Sequence, residues 1–153
     1  MKYILTFLMI FNLTICYAAV NPIHKNAVEY VFKDAAAEFK EKFNLDFQRT
    51  SIDQDELVRR ISIYFRYSKT MTQEKARDIM PRLLDLALLK INQNPKLQEY
   101  LMEHPFRKEN LHITIYMPSS FFPRKNCAII GWNNKEFTYL LNNGTDLKEE
   151  PRL

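Results

Sequence analysis

An apolar–polar alternation runs through the segment Ile61-Ser62-Ile63-Tyr64-Phe65-Arg66-Tyr67. A period of two places successive side chains on opposite sides of a β-strand, and β-branched and aromatic residues favour that conformation. The segment 60–67 is therefore predicted to be a strand with one apolar face and one face that carries polar groups.

The last third of the chain repeats this pattern. Residues 111–117 alternate in the same way, and two further apolar segments, 127–132 and 135–141, flank Asn133-Asn134. Asparagine tolerates positive φ, so the pair predicts a two-residue hairpin of the primed type. This register places Trp132 opposite Lys135, Ile130 opposite Phe137, and Ala128 opposite Tyr139.

Two other regions have helical spacing. Apolar residues recur every three to four positions between Ile23 and Asn44, where Asn44 is expected to end the helix. A second helix is predicted to open at Thr70-Met71-Thr72-Gln73, with a kink or broken turn at Pro81. Asn94-Pro95 then predicts the start of a short helix. Residues 46–54 are interpreted as a polar connection, although a capping signal at Ser51 leaves a short helix up to Arg60 as an alternative.

These elements predict an α+β protein with two layers. Helices are expected on one face of a mostly antiparallel four-stranded sheet, in the order α-β-α-β-β-β. The single domain is predicted to span residues 19–144, and the charged residues 145–153 are expected to form a flexible C-terminal tail.

The first 18 residues have the features of a cleavable signal peptide. Lys2 provides a positive start, residues 3–15 form an apolar run, and cleavage between Ala18 and Ala19 leaves small residues before the cut. We therefore expect an exported product, periplasmic or secreted.

Cys16 allows a second route of processing. Leu13-Thr14-Ile15-Cys16 is similar to a bacterial lipobox, in which Cys16 would carry a lipid and anchor the protein to a membrane. The chain has two cysteines. Because Cys16 is either removed with the signal peptide or modified by lipid, Cys127 has no second cysteine for an intramolecular disulfide.

Composition argues against some partners. The net charge of +4 is small, with 22 basic and 18 acidic residues interleaved, which is not typical of a nucleic-acid-binding protein. The basic pairs Arg59-Arg60, Arg107-Lys108 and Arg124-Lys125 are interpreted as solvated loop charges. The alternative is that they converge into a patch for anionic lipid or glycan.

Short motifs occur within residues 60–117, namely Ile61-Ser62-Ile63-Tyr64-Phe65, Glu74-Lys75-Ala76-Arg77, Lys90-Ile91-Asn92, Tyr100-Leu101, Pro105-Phe106 and Asn110-Leu111-His112-Ile113. Together they resemble a group of small, uncharacterised exported bacterial proteins. The resemblance implies an exported bacterial protein and assigns no catalytic or binding residue.

Catalytic chemistry has one candidate pair. Cys127 and His112 would form a thiol–imidazole dyad if they met on one face of the sheet, which is the basis of an alternative hypothesis, a small secreted hydrolase or thiol enzyme. The sequence offers no third orienting residue, and its histidines lack metal-ligand spacing. We therefore favour a protein that is not an enzyme and has no metal or cofactor.

The favoured site is the polar side of the predicted sheet. Tyrosine and arginine are the residue types that dominate many recognition surfaces. The expected partner is another protein or an envelope component, and the binding residues predicted on this face are Tyr64, Arg66, His112, Tyr116 and Thr138.

Overall fold

The computed structural model describes residues 21–117, 126–133, 136–141 and 146–149 of the chain. The protein is α+β, as the alternation and the helical spacing predict. Its elements are helices α1 (Pro22–Asp34) and α2 (Ala36–Phe43), strands β1 (Leu45–Gln54), β2 (Val58–Tyr67) and β3 (Met71–Thr72), helices α3 (Gln73–Asn92) and α4 (Pro95–Gln98), a 3-10 turn (Lys108–Asn110), and strands β4 (Leu111–Tyr116), β5 (Asn126–Asn133), β6 (Glu136–Leu141) and β7 (Asp146–Glu149).

The predicted first helix is divided into two segments. Ala35 separates α1 from α2 with a ψ of −1°, although hydrogen bonds from Ala35 N to Val31 O and from Phe39 N to Ala35 O continue across it. Asn44 ends α2 in the left-handed conformation with φ 57°, which an asparagine adopts more readily than most residues. The predicted helix end at Asn44 is therefore confirmed.

Side-chain caps start the other helices where the sequence indicates them. The Thr72 hydroxyl accepts a hydrogen bond from Lys75 N at 3.3 Å and begins α3. Asn94 accepts from Leu97 N at 3.0 Å and begins α4, with Pro95 at its first position. Pro81 does not end α3, which continues from Gln73 to Asn92. Pro81 is exposed, while apolar side chains before and after it in the helix are buried. Their packing keeps the helix continuous although Pro81 has no N–H to donate.

Residues 46–54 are not a connection but the greater part of strand β1, and this prediction was wrong. Leu45 and Phe47 point toward the core, as do Thr50 and Ile52, so the two short alternations are out of phase by one residue. An irregularity between Phe47 and Arg49 leaves Gln48 as the extra residue of a β-bulge. The bulge keeps both apolar pairs on the core side, and it also removes the continuous period that would have revealed the strand.

The sheet has more strands than the predicted four. Its described strands number seven, six of them in the order β1-β2-β4-β5-β6-β7, with β3 beside β5. Pairing is mostly antiparallel, as expected, but β2 and β4 are parallel, with Ile63 opposite Ile113. Parallel neighbours require a long crossover, and residues 68–110, which include α3 and α4, provide it.

The hairpin between β5 and β6 has a different register from the predicted one. Trp132 lies opposite Phe137 and Asn133 opposite Glu136, so Asn133 belongs to the paired strand and not to the predicted Asn133-Asn134 loop. Trp132 and Phe137 are both buried, with ring centroids 4.8 Å apart. The predicted register would instead have placed the large aromatic ring of Trp132 opposite Lys135, which explains why the shifted pairing is preferred.

Part of the predicted tail pairs with the sheet. Asp146–Glu149 form β7, antiparallel to β6, with Leu147 opposite Tyr139. The rest of segment 145–153 lies outside the described residues.

The helices are attached to the sheet by a cluster of phenylalanines. Phe32 of α1 and Phe39 of α2 have ring centroids 6.1 Å apart, and Phe39 lies 5.0 Å from Phe65 of β2. Phe47 of β1 completes the cluster at 6.2 Å from Phe65. Burying each ring contributes about 1.5 to 3 kcal/mol, so this cluster is a major part of the contact between helices and sheet.

The end of the crossover is held by a side-chain amide. Asn92 Nδ2 donates to the Phe106 carbonyl at 3.0 Å, and Phe106 N donates to Asn92 Oδ1 at 2.7 Å. Trp132 Nε1 donates to the Lys108 carbonyl at 3.0 Å. These bonds satisfy backbone groups of the irregular segment before β4, and they fix the position at which β4 begins.

Glu38 connects the two long helical regions by charge. Its carboxylate accepts from Lys42 of α2 at 2.6 Å and from Lys90 of α3 at 2.6 Å. These hydrogen bonds hold the pKa of the Glu38 carboxyl below its usual value.

The buried hydroxyl of Thr50 gives a prediction about stability. Thr50 is 2% exposed, and its Oγ1 has no hydrogen-bond partner among the described residues. Replacing the hydroxyl with a methyl group of the same shape removes an unsatisfied polar atom, so Thr50→Val should raise the free energy of unfolding by about 1 kcal/mol in urea denaturation.

Thr114 is the matched control, because it lies on the opposite face of the sheet and is half-buried. Thr114→Val should change the free energy of unfolding by less than about 0.5 kcal/mol. A loss of stability in Thr50→Val would contradict the interpretation of its hydroxyl.

Candidate binding surface

The side of the sheet opposite the phenylalanine cluster carries the polar residues of β1, β2 and β4. We call this side the open face. Strand register places Ser62 beside His112, Tyr64 beside Thr114, and Arg66 beside Tyr116. Its side chains are half-buried or exposed, in contrast to the buried residues that alternate with them, and those described here, including Glu136 and Thr138 of β6, are Asp46, Arg49, Ser51, Asp53, Arg60, Ser62, Tyr64, Arg66, His112, Thr114, Tyr116, Glu136 and Thr138.

Three of these side chains stack across three strands. The guanidinium carbon of Arg49 lies 4.1 Å from the ring centroid of Tyr64. Tyr64 and Tyr116 have centroids 6.2 Å apart and an angle of 10° between their planes. We call this set the Arg–Tyr ladder (Arg49, Tyr64 and Tyr116). Stacking of a guanidinium on an aromatic ring is favourable and limits the freedom of a long side chain.

The bulge in β1 is what brings Arg49 to the ladder. Because Gln48 is the extra residue, Arg49 becomes the direct partner of Tyr64 and points to the open face. Ser51 follows on the same face, and its Oγ lies 3.5 Å from the Tyr64 hydroxyl. Arg49 was missed by sequence reasoning because β1 was interpreted as a connection. The signal that would have revealed it is the phase change between the pairs Leu45/Phe47 and Thr50/Ile52.

Arg66 extends the positive charge of this region. It is exposed, and it lies opposite Tyr116 on one side and Asp46 on the other. Asp46 is engaged by Lys40 at 2.8 Å. Within the described residues, no carboxylate lies within 4.0 Å of the guanidinium of Arg49 or Arg66.

The structure brings four of the five predicted binding residues to one part of the open face. Tyr64, Arg66 and Tyr116 are neighbours, and Tyr116 is 41% exposed. His112 lies one strand and two residues from Tyr64, roughly 8 Å between their backbones, which is the same offset as that of Tyr116 in the opposite direction along β4. Thr138 of β6 is three strands away from Tyr64 and lies roughly 14 Å from it at the usual strand spacing.

The hypothetical dyad is not brought together. Continuing the register of β4 and β5 places His112 beside Asn133, whereas Cys127 is near the other end of β5, where it pairs with Met71. An irregularity lies between Cys127 and Ile129. The backbones of Cys127 and His112 are therefore roughly 17 Å apart along the sheet, given about 3.3 Å per residue.

Two of the three basic pairs come near each other, because β2, which begins just before Arg59-Arg60, contacts the 3-10 turn that begins at Lys108. Arg59 lies 3.2 Å from Asp55 and 3.8 Å from Asp53. Arg107 lies 3.5 Å from Glu103. Neighbouring carboxylates thus reduce their net charge, and Arg124-Lys125 lie outside the described residues.

A buried polar cluster joins α1 to the end of β1. His24 Nδ1 and Gln54 Oε1 form a hydrogen bond of 3.0 Å, and both residues are 8% exposed. The His24 ring lies against Tyr100, with centroids 4.7 Å apart. The cluster connects three segments of the chain, and its groups are turned toward one another rather than toward a cavity.

A small cavity of about 150 Å³ lies on the helical side, lined by Tyr30, Val31, Asp34, Lys90, Gln93, Asn94 and Pro95. In the described part of the chain, no three His, Cys, Asp or Glu side chains are grouped so that they could hold a metal ion. None of the helices described has the length and apolar content needed to cross a membrane.

Comparison with known proteins adds no relative. No protein-family model, curated protein or solved structure matches this chain. The resemblance of residues 60–117 to exported bacterial proteins therefore stays a prediction, and a function has to be argued from the geometry of the open face.

The contact between Arg49 and Tyr64 can be measured by a double-mutant cycle. Arg49→Gln and Tyr64→Leu remove the two partners, and we expect a coupling energy of about 0.5 to 1 kcal/mol from urea denaturation of the single and double variants.

Arg60 provides the control cycle, since it is exposed and lies four residues before Tyr64 on the same strand. Arg60→Gln and Tyr64→Leu should be additive within about 0.3 kcal/mol. Equal coupling in both cycles would mean that the ladder contact makes no specific contribution.

Proposed function

We propose that this chain is an exported, non-enzymatic domain that binds another macromolecule, either a protein or a component of the cell envelope, through the open face of its sheet. The observation that carries the proposal is the Arg–Tyr ladder with Arg66 beside it. In the proposed two-layer arrangement, the described helices cover one side of the sheet, and none of them covers the other side.

The physical properties of the ladder suit recognition. Tyrosine provides a large contact area with few rotatable bonds, and arginine provides five donors in a fixed fork. Residues that are already ordered lose less conformational entropy when a partner binds. The stacking distances of 4.1 and 6.2 Å support this, because contacts of this kind limit the freedom of the side chains before a partner binds.

The alternative of a thiol enzyme has less support. A base activates a thiol only within hydrogen-bonding reach of it, and roughly 17 Å separates the backbones of Cys127 and His112 given the usual rise per residue. The ladder itself offers no group poised as a nucleophile. Binding is therefore the function that the open face supports best.

Capture of the partner tests the proposal. The full chain with a C-terminal tag is expressed in a bacterial host, cross-linked in intact cells and recovered, and the captured molecules are identified by mass spectrometry. The triple variant Tyr64→Ala/Arg66→Ala/Tyr116→Ala should lose a partner that the unmodified chain captures, because it removes the contact surface and leaves the buried face unchanged.

The control is Tyr30→Ala/Arg82→Ala, which removes an exposed tyrosine and an exposed arginine from the helical side. It should capture the same partner as the unmodified chain. Circular dichroism verifies that all variants are folded. If the triple variant captures the same set of molecules as the unmodified chain, the open face is not the binding surface.

Export is tested by the mass of the mature product. We expect a chain that begins at Ala19, because the small residues before it suit signal-peptide cleavage. A chain that begins with a diacylated Cys16 would instead establish a lipid-anchored protein. Retention of Met1 in the recovered product would contradict export by a cleaved signal.

A further inference from the structure

Two exposed arginines lie beside the tyrosine pair. Arg49 is the direct partner of Tyr64 on β1, and Arg66 follows Tyr64 by two residues on β2. One strand spacing and two residues of rise separate their backbones by roughly 8 Å. Both side chains therefore reach the same part of the open face.

Neither guanidinium has a carboxylate within 4.0 Å among the described residues. Asp46 is the direct cross-strand partner of Arg66, but its carboxylate binds Lys40 at 2.8 Å. By contrast, Arg59, Arg82 and Arg107 each have a carboxylate within 4.0 Å. Arg49 and Arg66 are thus two neighbouring guanidinium groups without an ion-pair partner in the described part of the chain.

We propose that the open face docks an acidic segment of a protein partner, whose carboxylates pair with Arg49 and Arg66 while its backbone and apolar groups rest on Tyr64 and Tyr116. This inference depends on the proposed function and names the chemistry of the partner. A guanidinium binds a carboxylate through two parallel hydrogen bonds, which gives both strength and direction.

The spacing of the arginines fits an extended acidic segment. Alternate residues of an extended chain are roughly 7 Å apart and point to the same side. Acidic side chains at positions i and i+2 of such a segment can therefore reach both arginines at once. The fixed stack of Arg49 on Tyr64 holds one of the two donors in place before binding.

A protein segment fits this surface better than a glycan or a nucleic acid. Sugars and bases gain affinity by stacking on free aromatic faces. Arg49 already covers one face of Tyr64 at 4.1 Å, so a sugar or base that stacked on that face would have to displace it.

Binding of a labelled poly-L-glutamate to the full chain tests the charge chemistry. Fluorescence anisotropy at low salt should show binding that weakens about fivefold to tenfold in Arg49→Gln/Arg66→Gln, as expected for the loss of two solvent-exposed bidentate pairs. The variant Arg49→Lys/Arg66→Lys keeps the charge but loses the fork, and it should bind with intermediate affinity.

A charge-matched control separates the site from the net charge. Lys25→Gln/Lys96→Gln removes two exposed charges from α1 and α4, on the other side of the sheet, and should bind poly-L-glutamate as the unmodified chain does. Equal weakening by both glutamine doubles overturns the proposal. So does a stronger dependence on Arg49 and Arg66 for polygalacturonate or for oligodeoxythymidylate than for poly-L-glutamate.

The two proposals fail in different ways. If poly-L-glutamate binding does not depend on Arg49 and Arg66, but the triple variant Tyr64→Ala/Arg66→Ala/Tyr116→Ala still loses its captured partner, the acidic-segment inference is wrong and the binding function stands. If capture is unaffected by the triple variant, the binding function of the open face is wrong.

Discussion

Parallel pairing of β2 with β4 constrains most of the structure. A hairpin cannot join two parallel neighbours, so the chain between Tyr67 and Leu111 has to cross from one end of the sheet to the other. Helix α3 makes most of that crossing and buries its apolar side, while Asn92 holds Phe106 and brings the chain back to β4. The same pairing aligns Ile63 with Ile113 on the core side and Arg66 with Tyr116 on the open face. Core and binding surface are therefore two consequences of one register.

The bulge at Gln48 is the second constraint, and it connects stability with recognition. Without an extra residue, the apolar pair Leu45 and Phe47 and the pair Thr50 and Ile52 would lie on opposite faces of β1. With it, Phe47 reaches Phe65 in the core while Arg49 reaches Tyr64 on the other side. The edge strand β1 thus also provides Arg49, the first member of the Arg–Tyr ladder. Stacking limits the freedom of the ladder's side chains, which supports the proposed role in recognition.

Part of the candidate site was accessible from the sequence. Tyr64, Arg66 and Tyr116 occupy the polar positions of two strands with alternating sequence. Alternation alone indicates that they share one face of the sheet with the other polar residues. His112 and Thr138 were predicted on the same grounds. His112 lies diagonal to Tyr64 on the neighbouring strand, but alternation carries no information about distance across the sheet, and Thr138 lies three strands from Tyr64. Arg49 was not predicted because its strand has no continuous period. Whether Cys127 and His112 lie close enough to form a dyad depends on their positions in the sheet, which only the strand register provides.

Local order was determined by the sequence itself. Several features depend on hydrogen bonds and packing patterns within a few residues. They are the α+β class, the strand character of residues 60–67 and 111–117, and the helix ends at Asn44, Thr72 and Asn94. The partners of each strand were decided only by the tertiary structure. Ile63 pairs with Ile113, which is fifty residues later in the chain. Trp132 lies opposite Phe137 rather than Lys135 because the two buried rings pack against each other. Gln48 forms a bulge because the pair Leu45 and Phe47 and the pair Thr50 and Ile52 must enter one core. Such choices minimise exposed apolar surface over the whole chain, and the charge and aromatic rings of the open face are arranged as a result of them.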